Sequence, residues 1–524
     1  MHTSSSPSHN QPNLPWVVQK YGGTSVGKFL NEIATTIVPS YLQKNRLVLV
    51  CSARSGDTKQ AGTTNRLLTA AEEAIKEGST LHLDIIRDLT LDHMEAAKQH
   101  IQNQDIKNQL LAQLEQDCRR LRSFLQAAEI IEEISPRSKD VIVGMGEMLS
   151  CQIVAAVLKD KGIDSQFVSL NNLIDQEFTT LDQDFYDYLA KRLATVVEEC
   201  GDKVPVLTGF FGNVPGSLLS SIGRGYTDLC ASLTAVGLGA EELQIWKEVD
   251  GIFTADPRKV RNARLLPIIT PEEAAELTYY GSEVIHPFTM EQVIRATIPI
   301  RIKNVENPAG SGTVIFPDSS NNTPQQFQQQ NGHAKNNYNG TATPPISVLA
   351  QNGYHSDLSR KSPTAVTIKD QICVINVHSN RKNVSHGFLA KIFTTLDNHG
   401  IVVDLISTSE VHVSMALNAE MVASSLDTAV NELGKLGSVD VMHNMAILSL
   451  VGRQMKSMVG IAGDLFTTLA KANISIEIIT QGASEINISC VINGDNATDA
   501  LNVVHDQLLD IDPSLENHLP PTTQ

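Results

Sequence analysis

What the chain lacks narrows it first. Its seven cysteines (Cys51, Cys118, Cys151, Cys200, Cys230, Cys373 and Cys490) are scattered, with no CxxC pair. That disfavours a disulfide framework and a zinc site alike. No uninterrupted apolar run reaches the roughly 18 residues needed to span a bilayer. The opening MHTSSSPSHNQPN has neither the apolar core of a secretory signal nor the arginines of a transit peptide, so cytoplasm is the compartment expected by elimination. Positive charge is short as well: 41 basic against 58 acidic residues leave a formal charge of −17. A surplus of that sign is repelled by nucleic acid and by anionic membranes, and neither is an expected partner. Small substrates stay open, because a local basic pocket can sit in an acidic protein.

What is present reads as globular. At 524 residues the chain is too long for one compact core, and two to four domains are expected. Residues 1–13 are polar and read as a disordered arm. From Pro15 to about Ile315, short apolar runs (Val17-Val18, Leu47 to Val50, Val204 to Leu207, Leu243 to Trp246, Ile298 to Ile302) alternate with amphipathic stretches such as Asn65 to Lys76 and Leu110 to Ala128. Near-continuous apolar strands between helices predict an α/β sandwich with a largely parallel sheet. The composition then breaks into DSSNNTPQQFQQQNGHAKNNYNGTATPP, Asp318 to Pro345. A segment so poor in apolar residues cannot offset its ordering entropy, and 318–350 is expected to be a disordered linker.

Beyond it lies an internal repeat. Phe393-Thr394-Thr395-Leu396 recurs as Phe466-Thr467-Thr468-Leu469, and at the same offset Ile401, Val403, Asp404 and Ile406 meet Ile474, Ile476, Glu477 and Ile479. After two extra residues, Glu410 to Ser414 answers Glu485 to Ser489. Each copy reads strand, loop, helix, strand, turn, strand, so two α+β modules are expected side by side.

The chemistry-bearing residues begin at Val17 to Gly27, VVQKYGGTSVG, a strand entering a glycine turn and then a helix. Adjacent glycines let backbone N–H groups approach a polyphosphate, the helix start adds a favourable dipole, and Lys20 adds a mobile positive charge. A plain tight turn accounts for the pattern equally well. Likewise Arg224 and Asp228, four apart, read alone as a surface ion pair, and Glu147 as a helix-end charge.

Lys20-Tyr21-Gly22-Gly23-Thr24-Ser25 resembles the KFGGTS opening of aspartate kinases, within the amino acid kinase family. Further matches follow in order: Ser52-Ala53-Arg54-Ser55-Gly56 with Thr64-Asn65, Gly146 to Ser150, Thr208 to Gly212, Gly223 to Asp228 (GRGYTD), Trp246 to Arg258 (WKEVDGIFTADPR) and Gly281 to Pro287 (GSEVIHP). The paired repeats resemble tandem ACT domains. The resemblance covers nearly all of residues 15–510 and implies a three-layer αβα kinase sandwich followed by two ferredoxin-like βαββαβ ACT domains. The implied boundaries are 14–317 for the kinase domain and 360–440 for the first ACT domain, with 495–512 as a helix that may return to it. The second ACT domain then spans 441–494 and a polar tail 513–524.

The resemblance also implies roles. ATP with Mg²⁺ and L-aspartate are the expected ligands, with Mg²⁺ riding on the phosphates rather than on protein ligands. Lys20 would bridge the transferring phosphoryl oxygens, with Gly22 and Gly23 donating backbone hydrogen bonds. Arg224 suits the α-carboxylate of aspartate and Glu147 its ammonium, while Thr24, Ser25, Thr64, Phe210 and Thr227 complete the pocket. Asp228 organises Lys20. Lys247, Glu248, Phe253 and Arg258 match the nucleotide segment. Glu283 stands where many members carry a phosphate-contacting lysine, so Lys259, Arg258 or another base is expected to replace it. His286 reads as a turn residue. An amino-acid effector, expected to be threonine from the fungal-type motifs, would touch His386, Gly387, Phe388, Ser407 and Ser409 in one repeat. In the other it would touch Gly460, Ile461, Ala462, Asn473 and Ile474. ACT pairing between subunits implies a homodimer or larger.

Overall fold

The computed structural model describes residues 8–56, 62–279, 287–316, 363–379, 387–409, 411–422, 425–453, 455, 458–482 and 486–509. The chain divides into two compact units, Met1–Gly251 with Ile285–Ile346, and Ile252–Val284 with Ser347–Gln524. The expected linker 318–350, Glu283, His286 and His386 lie outside the described residues.

In the first unit, strands β1 (Trp16–Tyr21), β2 (Arg46–Cys51), β3 (Ser165–Val168), β4 (Val204–Thr208) and β5 (Glu242–Lys247) form a parallel sheet. After a short strand of the second unit, β6 (Ile268–Ile269), the chain returns to the first as β7 (Ile300–Asn304) and β8 (Thr313–Ile315). These seven run in the order β3-β4-β2-β1-β5-β7-β8, and β8 is antiparallel to β7. Strand β1 is therefore central and entirely buried. Side chains alternate faces along a strand. Val17 and Tyr21 enter the large apolar core built with helices Pro136–Asp160 and Gln104–Ile131, while Lys20 faces the opposite layer and helix Tyr226–Leu238. Helices on both faces make the expected three-layer sandwich.

Two expectations change here. The arm at 1–13 is anchored within its described part: Asn10 is fully buried, donates to the carbonyls of Leu47 and Lys203 (both 3.0 Å) and accepts from the Leu47 N–H (2.7 Å). One asparagine supplies both a donor and an acceptor to the starts of two strands, which mean polarity does not reveal. Helix Pro136–Asp160 is long and apolar enough to cross a bilayer, but 83% of its apolar window is buried inside the fold. Glu147 and Gln152 interrupt its apolar run, so an uninterrupted-run criterion passes over it.

The second unit holds a six-stranded antiparallel sheet: β9 (Ala365–Ser379), β10 (Leu405–Thr408), β11 (His412–Asn418), β12 (Gly437–Val451), β13 (Ile476–Thr480) and β14 (Asn487–Asn493), ordered β10-β11-β9-β12-β14-β13. The repeat is structural. Helix Phe388–Asn398 recurs 73 positions on as helix Ile461–Lys471, and each follows a glycine of positive φ (Gly387, 80°; Gly460, 96°) that an L side chain would strain. The two extra residues then carry β11 onto β14.

Long strands β9 and β12 serve both repeats. Cys373, Ile375 and Val377 enter a core with helices Phe388–Asn398 and Leu426–Leu433, whereas Val366 and Ile368 enter one with helices Ile461–Lys471 and Ala497–Leu508. Helix Ala497–Leu508 thus completes the second repeat, correcting the expectation that 495–512 returns to the first. Its Ala500, Leu501 and Val504 bury against Leu465 and Leu469, whereas the first repeat has its own second helix. Packing also divides the expected continuous span 14–317. Ala255 and Val260 lie in the second repeat's core, and the buried Glu273 carboxylate accepts from Thr364 Oγ1 (2.6 Å) and the Arg453 N–H (3.0 Å). Sequence alternation continues unbroken through this stretch, but its partners are more than 90 residues away.

Candidate active site

Lys20 sits one residue before the end of β1, and Asp228 in the first turn of helix Tyr226–Leu238. Lys20 Nζ lies 2.6 Å from Asp228 Oδ1, and both side chains are mostly shielded from water. Pairing sets the ammonium's direction, because a free lysine head would sample many rotamers.

Beside this pair Glu147, 1% exposed, projects from helix Pro136–Asp160. Its Oε2 accepts from the Phe210 N–H (2.6 Å) and its Oε1 from the Thr227 hydroxyl (2.7 Å). Burial pushes its carboxyl up to about 7, against the opposing pull of Thr227, the Phe210 N–H, Tyr226 and the Gly209 N–H. Those four donors match the roughly four lone-pair sites of a carboxylate. Thr227 and Asp228 are adjacent, and the same helix start therefore serves both Glu147 and Lys20.

The glycine turn is joined to the end of β5: Ser25 Oγ donates to Glu248 (2.7 Å) and to the Trp246 carbonyl (3.3 Å). Thr24 is half-buried behind it, and Lys247 is half-buried at the last position of β5. The two glycines have different reasons. A Cβ at Gly23 would stand 2.3 Å from the Ala53 carbonyl oxygen, so this position packs against the loop Ser52–Gly56. At Gly22, φ is −71° and the nearest atom to a Cβ is Ser25 Oγ at 3.9 Å. Nothing in the fold requires glycine at Gly22. Its bareness fits the close approach of a ligand to the backbone.

Thr64, half-buried, occupies the first turn of helix Thr63–Ala74. Its neighbour Thr63 contacts Gly146, where a Cβ would meet Thr63 Cγ2 at 2.8 Å, which brings this turn beside Glu147. The Arg224 side chain lies outside the described part of the chain. Its backbone sits in the 3₁₀ turn Gly223–Gly225 leading directly into helix Tyr226–Leu238.

Phe253, Arg258 and Lys259 fall in the second unit. There Arg258 pairs with Asp256 (2.8 Å) and Lys259 with Asp370 (2.6 Å). Of the effector candidates, Phe388, Ile461 and Ile474 are buried, whereas Gly387, Ser407, Ser409, Gly460 and Asn473 are exposed and Ala462 is intermediate.

Three contributors escape sequence reasoning. Tyr226 and Gly209 both hydrogen-bond Glu147, and Asp140 holds the turn preceding Arg224. Its carboxylate accepts from Ser217 Oγ (2.9 Å) and from the N–H groups of Leu218 (2.6 Å) and Leu219 (3.1 Å). Gly209 carried a signal in its motif; Asp140 carried none. Among the described residues no group of three His, Cys, Asp or Glu side chains could hold a metal ion. A cation accompanying a polyphosphate would take its ligands from the phosphates.

The arrangement places an oriented ammonium, a bare backbone turn and a buried carboxylate at the carboxyl ends of parallel strands, where α/β sheets bind ligands. This is the equipment of a phosphotransferase. The profile of the amino acid kinase family matches residues 15–304, and that of an ACT domain residues 448–508. Among characterised proteins, the chain is 55% identical to the aspartokinase of Schizosaccharomyces pombe over 96% of this chain and 94% of that one. It is 49% identical to the Saccharomyces cerevisiae aspartokinase over 94% and 93%. Escherichia coli aspartokinase III, crystallised with lysine and aspartate in its T-state, superposes with a TM-score of 0.73 at 25% identity, covering 94% of this chain and 99% of that one. The same enzyme in an R-state complex with aspartate and ADP gives 0.67. The chain therefore belongs to the amino acid kinase family and, within it, to the aspartokinases. It is an ATP-dependent kinase.

Two outcomes test the site. Gly22→Ala is expected to change stability by less than about 0.5 kcal/mol while raising KM for ATP, whereas Gly23→Ala lowers the unfolding temperature because Ala53 blocks its Cβ. Equal destabilisation by both would remove the ligand-approach reading. The second concerns Glu147. A carboxyl whose pKa is raised on folding binds its proton more tightly in the folded chain, so its ionisation costs stability as pH rises from the unfolded value, 4.5, to about 7. Glu147→Gln lacks that titration. Urea unfolding of both proteins across this range should show the variant gaining on the native chain as pH rises, and a pH-independent difference would contradict it.

Proposed function

We propose that this chain transfers the γ-phosphate of ATP to the side-chain carboxylate of L-aspartate, giving 4-phospho-L-aspartate. The observation that carries the reading is the shielded Lys20–Asp228 pair at 2.6 Å, set beside the doubly anchored Glu147. The acceptor carboxylate is already ionised at neutral pH, with a reference pKa of about 3.9, so no general base is needed. Its oxygen attacks the γ-phosphorus, the bond to the β–γ bridging oxygen breaks, and ADP leaves with that electron pair. Positioning and charge neutralisation are then the whole task. Lys20 meets the negative charge on the transferring group, and Asp228 keeps the ammonium aimed. Glu147 receives the α-ammonium of aspartate, whose positive charge offsets the cost of ionising a buried carboxyl. Arg224, at the turn before the same helix, supplies the partner for the α-carboxylate. Mg²⁺ bound to the phosphates would supply further neutralisation.

The reaction stands as the first step toward threonine, methionine and isoleucine, and threonine is the proposed inhibitor. What supports threonine is the greater likeness to the two yeast aspartokinases than to the lysine-bound E. coli enzyme. The exposed glycine-led helix starts at Gly387 and Gly460 offer backbone donors for an amino-acid effector. A homodimer or larger assembly through the ACT repeats, in the cytoplasm, completes the proposal.

An ATP- and Mg²⁺-dependent hydroxamate assay with L-aspartate tests it. Aspartyl hydroxamate is expected, falling when threonine is added and disappearing in Lys20→Ala. No product, with Lys20→Ala indistinguishable from the native chain, would mean a silent sensor, and inhibition by lysine instead would remove threonine.

A further inference from the structure

Helix Pro136–Asp160 carries one stripe, Asp140, Gly144, Glu147 and Cys151, whose 4-3-4 spacing keeps the four on a single face, and all four are buried. The chain leaving β4 runs along that stripe in reverse order. Cys151 Sγ donates to the Leu207 carbonyl (3.2 Å), and Glu147 accepts from the Phe210 N–H (2.6 Å). The Phe210 ring lies across Gly144, where a Cβ would stand 2.7 Å from Cδ1. Asp140 then accepts from the Ser217 hydroxyl (2.9 Å) and from the N–H groups of Leu218 (2.6 Å) and Leu219 (3.1 Å).

From there the chain turns back to Glu147. Helix Leu218–Ser221 and the 3₁₀ turn Gly223–Gly225 lead into helix Tyr226–Leu238, whose Thr227 hydroxyl donates to the Glu147 carboxylate (2.7 Å). The two ends of this loop also touch, since a Cβ at Gly209 would meet Thr227 Cγ2 at 2.5 Å. Glu147 thus holds both ends of the loop 209–227, and Asp140 holds its middle. A helix as short as Leu218–Ser221 has too few internal hydrogen bonds to persist unaided. Its external partners fix it: the carboxylate of Asp140, and Ser217, whose side chain caps the Ser220 N–H (3.3 Å). Asp140 is only 1% exposed. Burying a carboxylate is costly, and an apolar side chain would fill the space as well. Gathering three donors from one turn is what the charged group adds.

We infer that Asp140 is a positioning residue for the acceptor substrate: by pinning the middle of the loop that Glu147 closes, it keeps the acceptor pocket formed before aspartate arrives. The inference rests on the proposed phosphotransfer, because that reading places aspartate at Glu147. Asp140 meets no reacting atom. It acts through the loop, so its loss weakens aspartate binding and spares the nucleotide.

The test uses the full-length protein, with L-aspartate and MgATP binding followed separately by calorimetry and kinetics by the hydroxamate assay. Asp140→Asn keeps the shape of the side chain. Whichever way its amide turns, at least one of the three donors then faces an NH₂ group. Kd and KM for L-aspartate are expected to rise by about tenfold, the size of effect that losing a buried hydrogen bond to a charged group produces. KM for ATP and kcat at saturating substrates should change less than about twofold, because ground-state binding of one substrate is what is lost. Ser217→Ala removes one donor and the cap together, and is expected to raise KM for aspartate about threefold. It keeps the test decisive if Asp140→Asn does not fold. Native aspartate affinity in the folded variants would overturn the inference while leaving phosphotransfer intact. Parallel losses for aspartate and MgATP would overturn it too, by showing a merely structural role. A native chain that binds MgATP but neither binds L-aspartate nor forms its hydroxamate would overturn the phosphotransfer reading and the inference with it.

Discussion

The ion pair between Lys20 and Asp228 is the constraint around which the catalytic unit is organised. Lys20 must stand on the central strand, two positions before the glycine turn, and on the face opposite Tyr21. Asp228 must stand in the first turn of the helix that covers that face. The two are 208 positions apart, and the sheet order β4-β2-β1-β5 brings them together. Removing one partner of a shielded pair leaves the other charge uncompensated, which costs more than the intact pair contributes. The proposed transfer asks for the same restraint, because an ammonium that is to meet a phosphate is useful only if something else holds it beforehand.

Glu147 shows the same economy from the other direction. It is buried and forms no ion pair among the described residues, and its hydrogen bonds from Thr227, Tyr226 and two backbone N–H groups only partly offset that burial. The ordering of helix Tyr226–Leu238 makes the two carboxylate sites interdependent, since Thr227 serves Glu147 and Asp228 serves Lys20.

Much of this was legible in the sequence, for physical reasons. Apolar runs at Leu47 to Val50 and Leu243 to Trp246 had to be buried strands, and the 73-residue repeat had to give two alike modules. The limits of helices Phe388–Asn398 and Ile461–Lys471 indeed recur at an offset of 73, and those of β11 and β14 at 75. The pairing of Lys20 with Asp228 came only with the family resemblance, because spacing alone favoured Arg224 as the partner of Asp228. Three things stayed hidden. Asn10 is a single polar residue in a polar segment, and its burial depends on two strands that begin far along the chain. Asp140 acts on a turn nearly 80 residues away, with no periodic or motif signal. The allegiance of Ile252 to Tyr279 to the regulatory unit is set by Glu273, Thr364 and Arg453, contacts that no local pattern announces. That allegiance places part of the segment that the family resemblance links to the nucleotide inside the unit that carries the ACT repeats.

The most direct measurement is a double-mutant cycle on kcat for aspartyl phosphate formation, using Lys20→Met, Asp228→Asn and the double variant. If Asp228 acts by orienting Lys20, the double variant will be no slower than Lys20→Met alone, within about twofold. Losses that multiply, each residue contributing independently of the other, would contradict the account.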